Sequence, residues 1–412
     1  MTHRGPTPDP DRLGKFRAQF WQPPRAHGDV IEDRTVSFLE LFYDLVYVVV
    51  IARAAHTLAE HLTVRGVIEF AIVFGLVFVA WINGTVYQDL HGRGDGRSRM
   101  FVFAQMLILS VLAVYTADAA GESGAIFAWV YTAFLVLLTW LWYSVRRQDA
   151  EEYMALTRRY LFGMVASVVV MALSALLPET GRLVVWGLFA LGWALGNLIL
   201  GRIQEGSDLM PTYSDSLIER FGLFTIIVLG EVVVGVVTGL SEADRSFTSL
   251  ATGVIGLMIG FSFWWTYFDF VGRRHPRPGT QAFTSWTTGH LPIYLAIAAS
   301  GSAMVGLIEH SADDRSPIGA AWLLSGSVAV GLLGLVLLMR TLADYERFSS
   351  VYRPLTQAMF ASGAVALLIG WARPAPWLLA LLLVLTMSAV WVIAIYQAMT
   401  LENPADVFPS SH

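Results

Sequence analysis

The sequence predicts an all-α protein that crosses a membrane twelve times, and three observations carry that prediction. The 412-residue chain is 55% hydrophobic and only 14% charged, against about 25% charged in a soluble domain. Twelve mostly apolar stretches, each of roughly 18 to 26 residues, can cross a hydrocarbon core of about 30 Å. The basic residues between them alternate from side to side, the pattern left when short cytoplasmic loops retain Lys and Arg.

The stretches run over 36–58, 66–88, 100–117, 124–144, 157–177, 182–200, 214–239, 248–271, 284–308, 318–340, 353–370 and 376–399. Their connections are short, which leaves no room for a soluble domain after residue 35. With the N-terminus inside, 20 of the 27 Lys and Arg residues fall on the cytoplasmic side, five lie opposite, and Arg53 and Arg220 lie within helices. This predicts N-in, C-in topology. Residues 1–35 are rich in Pro, Gly and Arg and lack an apolar h-region, so they read as a mobile cytoplasmic tail rather than a signal peptide. Residues 401–412 form a second tail. The chain has no cysteine, which excludes disulfides, thiolate metal sites and a cysteine nucleophile. It contains no Gly-rich phosphate loop, HExxH or G-x-S-x-G, so no cofactor, metal or nucleic-acid partner is expected.

An internal repeat organises the helices. Ser37-Phe-Leu-Glu40 matches Ser216-Leu-Ile-Glu219 at an offset of 179, and Y-x-D-x-x-G-R occurs at Tyr87–Arg93 and again at Tyr267–Arg273 at an offset of 180. The predicted halves are 36–205 and 206–400. Six helices per half is an even number, so both halves share one orientation and form a parallel 6+6 repeat about an axis along the membrane normal. Helices 1 and 7 then face each other across that axis. Gly192-xxx-Gly196, Gly235-xxx-Gly239 and Gly256-xxx-Gly260 permit close helix approach within the chain or in a homo-oligomer.

Carboxylates inside spanning helices are expensive, and each is a candidate site by default. Glu40 and Asp44 lie one turn apart on helix 1 and share a face. Two such anions repel, which calls for a nearby cation; Arg34 and Arg220 are the natural partners. Arg220 and Glu231 share a face of helix 7 three turns apart, and Glu231 falls near the bilayer centre. Glu219 points elsewhere on the same helix. His290 precedes Pro292 in helix 9, a pairing expected to break the helical ladder and expose carbonyls. The substrate- or ion-binding candidates are therefore Glu40, Asp44, Glu219, Arg220, Glu231 and His290. Asp89 with Arg93, and Asp269 with Arg273, are expected to form Asp–Arg clamps that close their loops. No catalytic residue is expected.

Helix 1 (VSFLELFYDLVYVVVIARAA) and helix 7 (ERFGLFTIIVLGE) resemble the two signatures of the bacterial low temperature requirement protein A family. Trp265, Tyr267 and Asp269 at the end of helix 8, and His290-Leu-Pro292 in helix 9, fit the same likeness. The resemblance implies a multi-pass protein of the bacterial cytoplasmic membrane, needed for growth in the cold, with Glu40, Asp44, Glu219, Arg220 and Glu231 as characteristic polar positions. Arg34 with Phe42-Tyr-Asp44 is also similar to the R…F-S-D first helix of the lysosomal potassium channel family, with Tyr43 in place of serine. That likeness implies a pore lined by the first helix of each repeat.

The function expected from these residues is a transporter or channel that moves a small solute or ion between the halves, with buried carboxylates binding it or coupling it to protons. The alternatives are a structural or sensory membrane protein whose charges only fix packing, and an intramembrane lipid-modifying enzyme.

Overall fold

The computed structural model describes residues 14, 16, 19–29, 34–203 and 214–401. Among these it is all-helical, with twelve long helices: α1 (Phe38–Glu60), α2 (Val64–His91), α3 (Gly96–Thr116), α4 (Gly124–Val145), α5 (Met154–Ser174), α6 (Glu179–Ile203), α7 (Asp215–Glu242), α8 (Phe247–Phe270), α9 (Thr280–Glu309), α10 (Ile318–Met339), α11 (Ser349–Ala372) and α12 (Pro376–Ala398). Each overlaps one predicted stretch. Eleven are long and apolar enough to cross a membrane. The exception is α1, which carries Glu40, Asp44, Arg53 and Glu60. The predicted boundary between halves, at 205 and 206, and most of both tails lie outside the described residues.

Local chemistry sets the helix starts. Ser37 and Glu40 form a reciprocal capping box at α1, and the side chains of Thr63, Asp95 and Ser214 accept from backbone N–H groups at the starts of α2, α3 and α7. These caps satisfy donors that helix geometry leaves unpaired. Pro376 opens α12, where its missing N–H costs nothing. Pro292 lies inside α9, and the helical path runs on through it, although proline has no N–H to bond the Thr288 carbonyl. Neighbouring helices enclose α9 on most sides, and such packing lets a helix tolerate proline.

Two helices form the centre. α9 and α2 are the most enclosed spans, and α6 is the least. In the first six helices α1 packs on α2 and α3, α2 on α4 and α6, α3 on α4, α4 on α5, and α5 on α6. In the last six, α7 packs on α8 and α9, α8 on α10 and α12, α9 on α10, α10 on α11, and α11 on α12. The two sets meet where α1 packs on α7 and α9, α2 on the same two helices, and α6 on α9. Within the last six, α7 and α9 cross backbone to backbone. A methyl group on Gly235 would lie 2.1 Å from the Gly301 carbonyl oxygen, and one on Gly301 would lie 2.3 Å from that of Glu231. Glycine is required at that crossing because the facing atoms are backbone and cannot give way.

Part of the expected N-terminal tail is packed against the arginine-rich end of the bundle. Buried Arg25 donates to the Gly92 carbonyl at 2.9 Å and to that of Asp89, and the His91 ring pairs with the Arg25 carbonyl at 2.8 Å. The segment thereby caps the carbonyl end of α2. His27 stacks on Tyr153 and pairs with Asp149 at 2.8 Å.

Candidate functional site

α1, α2 and α7 meet around a ladder of alternating charges. Its innermost rung is Asp44, which is 0% exposed. Arg220 reaches it from α7 in a fork, with Nη2 at 2.8 Å from Oδ1 and Nε at 3.0 Å from Oδ2. From α2 the Trp81 indole N–H donates to Oδ1 at 2.9 Å. Arg220 also lies 3.7 Å from Glu40 and sits over the Tyr43 ring. Glu40 in turn accepts from Arg34 at 2.5 Å and from the Ser37 N–H at 2.9 Å. Arg34 continues outward to Asp89 at 2.7 Å, and Asp89 accepts from Ser214 at 2.6 Å and Ser216 at 2.8 Å.

The chain of groups is therefore Asp89, Arg34, Glu40, Arg220, Asp44 and Trp81. It ties the end of α2 and the starts of α1 and α7 into one unit. A planar guanidinium makes two directed bonds to a carboxylate, so Arg rather than Lys suits the Asp44 fork. Asp44 is sealed by ion pairs and aromatic rings, which differs from the open, pore-lining position implied by the potassium-channel likeness.

Several expected pairings are replaced by others. Asp89 does not clamp Arg93: its carboxylate turns to Arg34 and two serines, while Arg93 donates to the Pro23 carbonyl at 3.0 Å. Asp269 does not pair with Arg273, which is exposed; its carboxylate accepts from the Trp391 indole at 3.0 Å. The ion pair at that loop joins Arg274 to Asp344. At both Y-x-D-x-x-G-R motifs the nearby arginine follows the helix end, and a residue distant in sequence takes the acid.

Glu219 stands apart from the buried ladder. It is exposed and, among the described residues, accepts from the Val36 N–H at 3.4 Å. Glu40, in the matching Ser-x-x-Glu segment, is the third helical residue of a capping box, but α7 is capped two residues earlier in that segment, by Ser214, so Glu219 cannot reach back to its cap. His290 is fully buried, with Nδ1 2.8 Å from the Trp286 carbonyl and Nε2 3.0 Å from the Tyr267 hydroxyl. A carbonyl only accepts, so Nδ1 carries the proton and Nε2 accepts from tyrosine. Phe221, Trp286 and Tyr294 enclose the ring. Both nitrogens are occupied, and the residue holds α8 to α9.

Glu231 is the exception among the buried acids. It is 4% exposed, at the α7–α9 crossing, about 16 Å along the helix axis from Arg220. Among the described residues no side chain hydrogen-bonds or ion-pairs with it. Every other buried carboxylate on α1 or α7 has a cation.

At the end opposite the arginine-rich loops, Arg53, His56, Glu60 and His61 border a cavity of about 590 Å³. Arg65 there bridges Glu69 at 2.6 Å and Glu179 at 2.5 Å. Among the described residues no group of three or more His, Cys, Asp or Glu converges to hold a metal ion.

Sequence reasoning missed Trp81, Ser214 and Ser216. Ser37-x-x-Glu40 is itself a capping-box signature and offered the missing signal for Glu40. A tryptophan deep in an apolar helix needs an acceptor for its N–H, which was the corresponding signal for Trp81.

An all-helical bundle with apolar spans and an interior ion-pair ladder defines a multi-pass membrane protein. The chain belongs to the bacterial low temperature requirement A protein family, whose profile matches residues 35–396. It is 26% identical over 275 residues to a protein of Rhizobium meliloti (strain 1021) described as uncharacterized, a match covering 62% of this chain and 66% of that one, just under two thirds of the relative. No solved structure matches the chain.

Proposed function

We propose that the protein moves a small solute or ion across the bacterial cytoplasmic membrane, with Glu231 as the group that binds it or couples it to protons. The ladder around Asp44 and Arg220 serves as the fixed pin between helices 1 and 7. The observation that carries this reading is the isolation of Glu231. A lone carboxylate in an apolar interior is costly as an anion, and that cost disappears whenever a proton or a cation arrives. Packing alone does not call for such a group, because an apolar side chain would fill the site at less cost.

Two further features support a two-fold carrier built as a parallel 6+6 repeat. Each helix pair packed within α1–α6 recurs within α7–α12, where α8 also packs on α9 and α10 on α12. The arginine distribution favours N-in, C-in topology. Glu231 lies close to the crossing of α7 with α9, both in the second half, and α9 also packs on α1, α2 and α6 of the first half, so a small shift of α9 changes access to the acid.

Reconstitution tests the proposal directly. Wild-type and Glu231→Gln proteins in sealed proteoliposomes are given an imposed K⁺ or Na⁺ gradient, and internal pH is followed with a trapped dye. The expected result is saturable proton or cation movement in the wild type and its loss in the variant. Equal flux from both proteins would refute the role of Glu231.

A further inference from the structure

A cavity of about 1030 Å³ opens at the arginine-rich end between α6, α9 and α10. Arg202, Arg277 and Arg340 line it, and among the described residues no carboxylate does. All three arginines are exposed. Arg277 is held from behind, since its backbone N–H donates to the Thr341 carbonyl at 2.8 Å and its Nη2 to the Arg340 carbonyl. Gly279, with φ of 113°, makes the sharp turn that swings this loop into α9 beside the cavity; a side chain would be strained there.

Below the arginines the lining changes character. Leu198, Leu291 and Leu337 form apolar walls. Leu337 is 47% exposed, so the cavity is open sideways to the lipid region. On its inner wall sits Thr288, more than nine-tenths buried, whose hydroxyl has no hydrogen-bond partner. Pro292, four residues on, lacks the N–H that would close the helical bond to the Thr288 carbonyl. An unpartnered hydroxyl and an unclosed carbonyl thus coincide about 13 Å along α9 from Gly279.

We infer that this cavity is a binding site for one anionic phospholipid: its phosphate on Arg202, Arg277 and Arg340, its glycerol region beside Thr288, and an acyl chain against the leucines. The order of chemistry along α9 follows that of a lipid, charged at the interface, polar beneath it and apolar below that. Arginine clusters at this depth attract anionic headgroups at about a fivefold gain in affinity per residue. A free phosphate ion would use the arginines but neither Thr288 nor the apolar walls, so the site selects a lipid-borne phosphate. The inference is independent of any role for Glu231, because its readout is binding.

The test uses the full-length protein in nanodiscs of phosphatidylcholine with a rising fraction of phosphatidylglycerol, and native mass spectrometry of the lipid retained on release. Wild type should keep one phosphatidylglycerol in preference to phosphatidylcholine. The Arg202→Gln/Arg277→Gln/Arg340→Gln variant should lose roughly a hundredfold in that preference, on about fivefold per arginine. Arg202→Gln and Arg340→Gln singly, neither of which removes the Arg277 loop contacts, should each lose about fivefold. Thr288→Val should weaken retention with the arginines intact. Replacing the exposed Arg146, Arg147 and Arg159 by Gln on the same end should leave it unchanged. Equal loss in that control, no loss in the single variants, or displacement of the lipid by millimolar inorganic phosphate would overturn the assignment.

Discussion

Replacing Arg220 by Met should be among the most damaging single changes in this protein, and the structure says by how much more than its counterpart at Asp44. Removing one member of a buried ion pair costs about 3–5 kcal/mol, because the other is left charged and unpaired in a poor solvent. Asp44 is 0% exposed, and without Arg220 it keeps only the Trp81 N–H at 2.9 Å. Arg220→Met should therefore fall near the upper end of that range, at about 5 kcal/mol. Asp44→Leu leaves Arg220 with Glu40 still 3.7 Å away, which places it near the lower end, at about 3 kcal/mol. In the double variant neither charge remains, and apolar replacement of a whole buried pair is often close to neutral. The coupling between the two sites should thus amount to several kcal/mol. Equilibrium unfolding of the four proteins in mixed detergent and SDS micelles, followed by tryptophan fluorescence, measures it. Additive losses, or a double variant no more stable than Arg220→Met, would refute the view that the two residues act as one buried unit.

Three other outcomes follow from the same structure. Glu231→Met should raise the unfolding free energy by about 1–2 kcal/mol, the cost of an uncompensated buried polar group, while abolishing flux in proteoliposomes; a loss of stability would show that Glu231 has a structural partner. Gly301→Ala should cost about 3 kcal/mol or prevent folding, since its methyl would lie 2.3 Å from the Glu231 carbonyl oxygen, whereas Gly192→Ala and Gly196→Ala, with nothing within 4 Å, should stabilise α6 by up to about 1 kcal/mol each in the same unfolding assay. Burial opposes ionisation of Asp149, but hydrogen bonds from His27 and Thr157 and the nearby imidazole outweigh it and hold its carboxyl below the usual range. That contribution is complete above the ordinary carboxylate pKa and is lost as pH falls through the lowered folded value, so Asp149→Asn should flatten this acid-side decline in pH-dependent unfolding curves.

How much of this was legible in the sequence depended on the range of the interaction concerned. Spanning helices are set by run length and loop charge, both local, and each of the twelve predicted stretches overlaps a helix. Caps are nearly local, and Ser37-x-x-Glu40 could have been read as one. Partnerships were not legible where geometry overrides adjacency. Asp89 and Arg93 are four apart, yet Arg93 lies beyond the end of α2, and Arg34, from the start of α1, takes the acid instead. Trp391 as the partner of Asp269 is 122 residues away, and nothing in the sequence near either one marks the pairing. The proline in α9 shows a related limit, because sequence marks the missing N–H but not the enclosing helices that let α9 run on through it.

The two helices that carry the acids differ in how those acids are paired. Glu40 and Glu219 occupy matching places in the duplicated motif, yet a two-residue shift in the cap makes one a buried rung and leaves the other exposed. The surviving cation on α7, Arg220, turns to α1 and neutralises Asp44. Helix 7 thus supplies the positive half of the pin and, about 16 Å further along, the one buried acid of the two helices without a cation. A symmetric pair of locks would hold both halves rigidly to each other. One lock joins α1 to α7 at the arginine-rich end, and beyond it an unpaired carboxylate stands at the glycine crossing of α7 with α9; on the proposed function the first stays fixed while the second responds to a proton or cation. If so, transferring the lock should disable transport without unfolding the protein: adding a cation to pair Glu231, as in Ile227→Arg at a half-buried position one turn earlier on α7, should retain the helical fold by circular dichroism and suppress flux. A variant that pairs Glu231 and still transports at the wild-type rate would show that its isolation is not what matters.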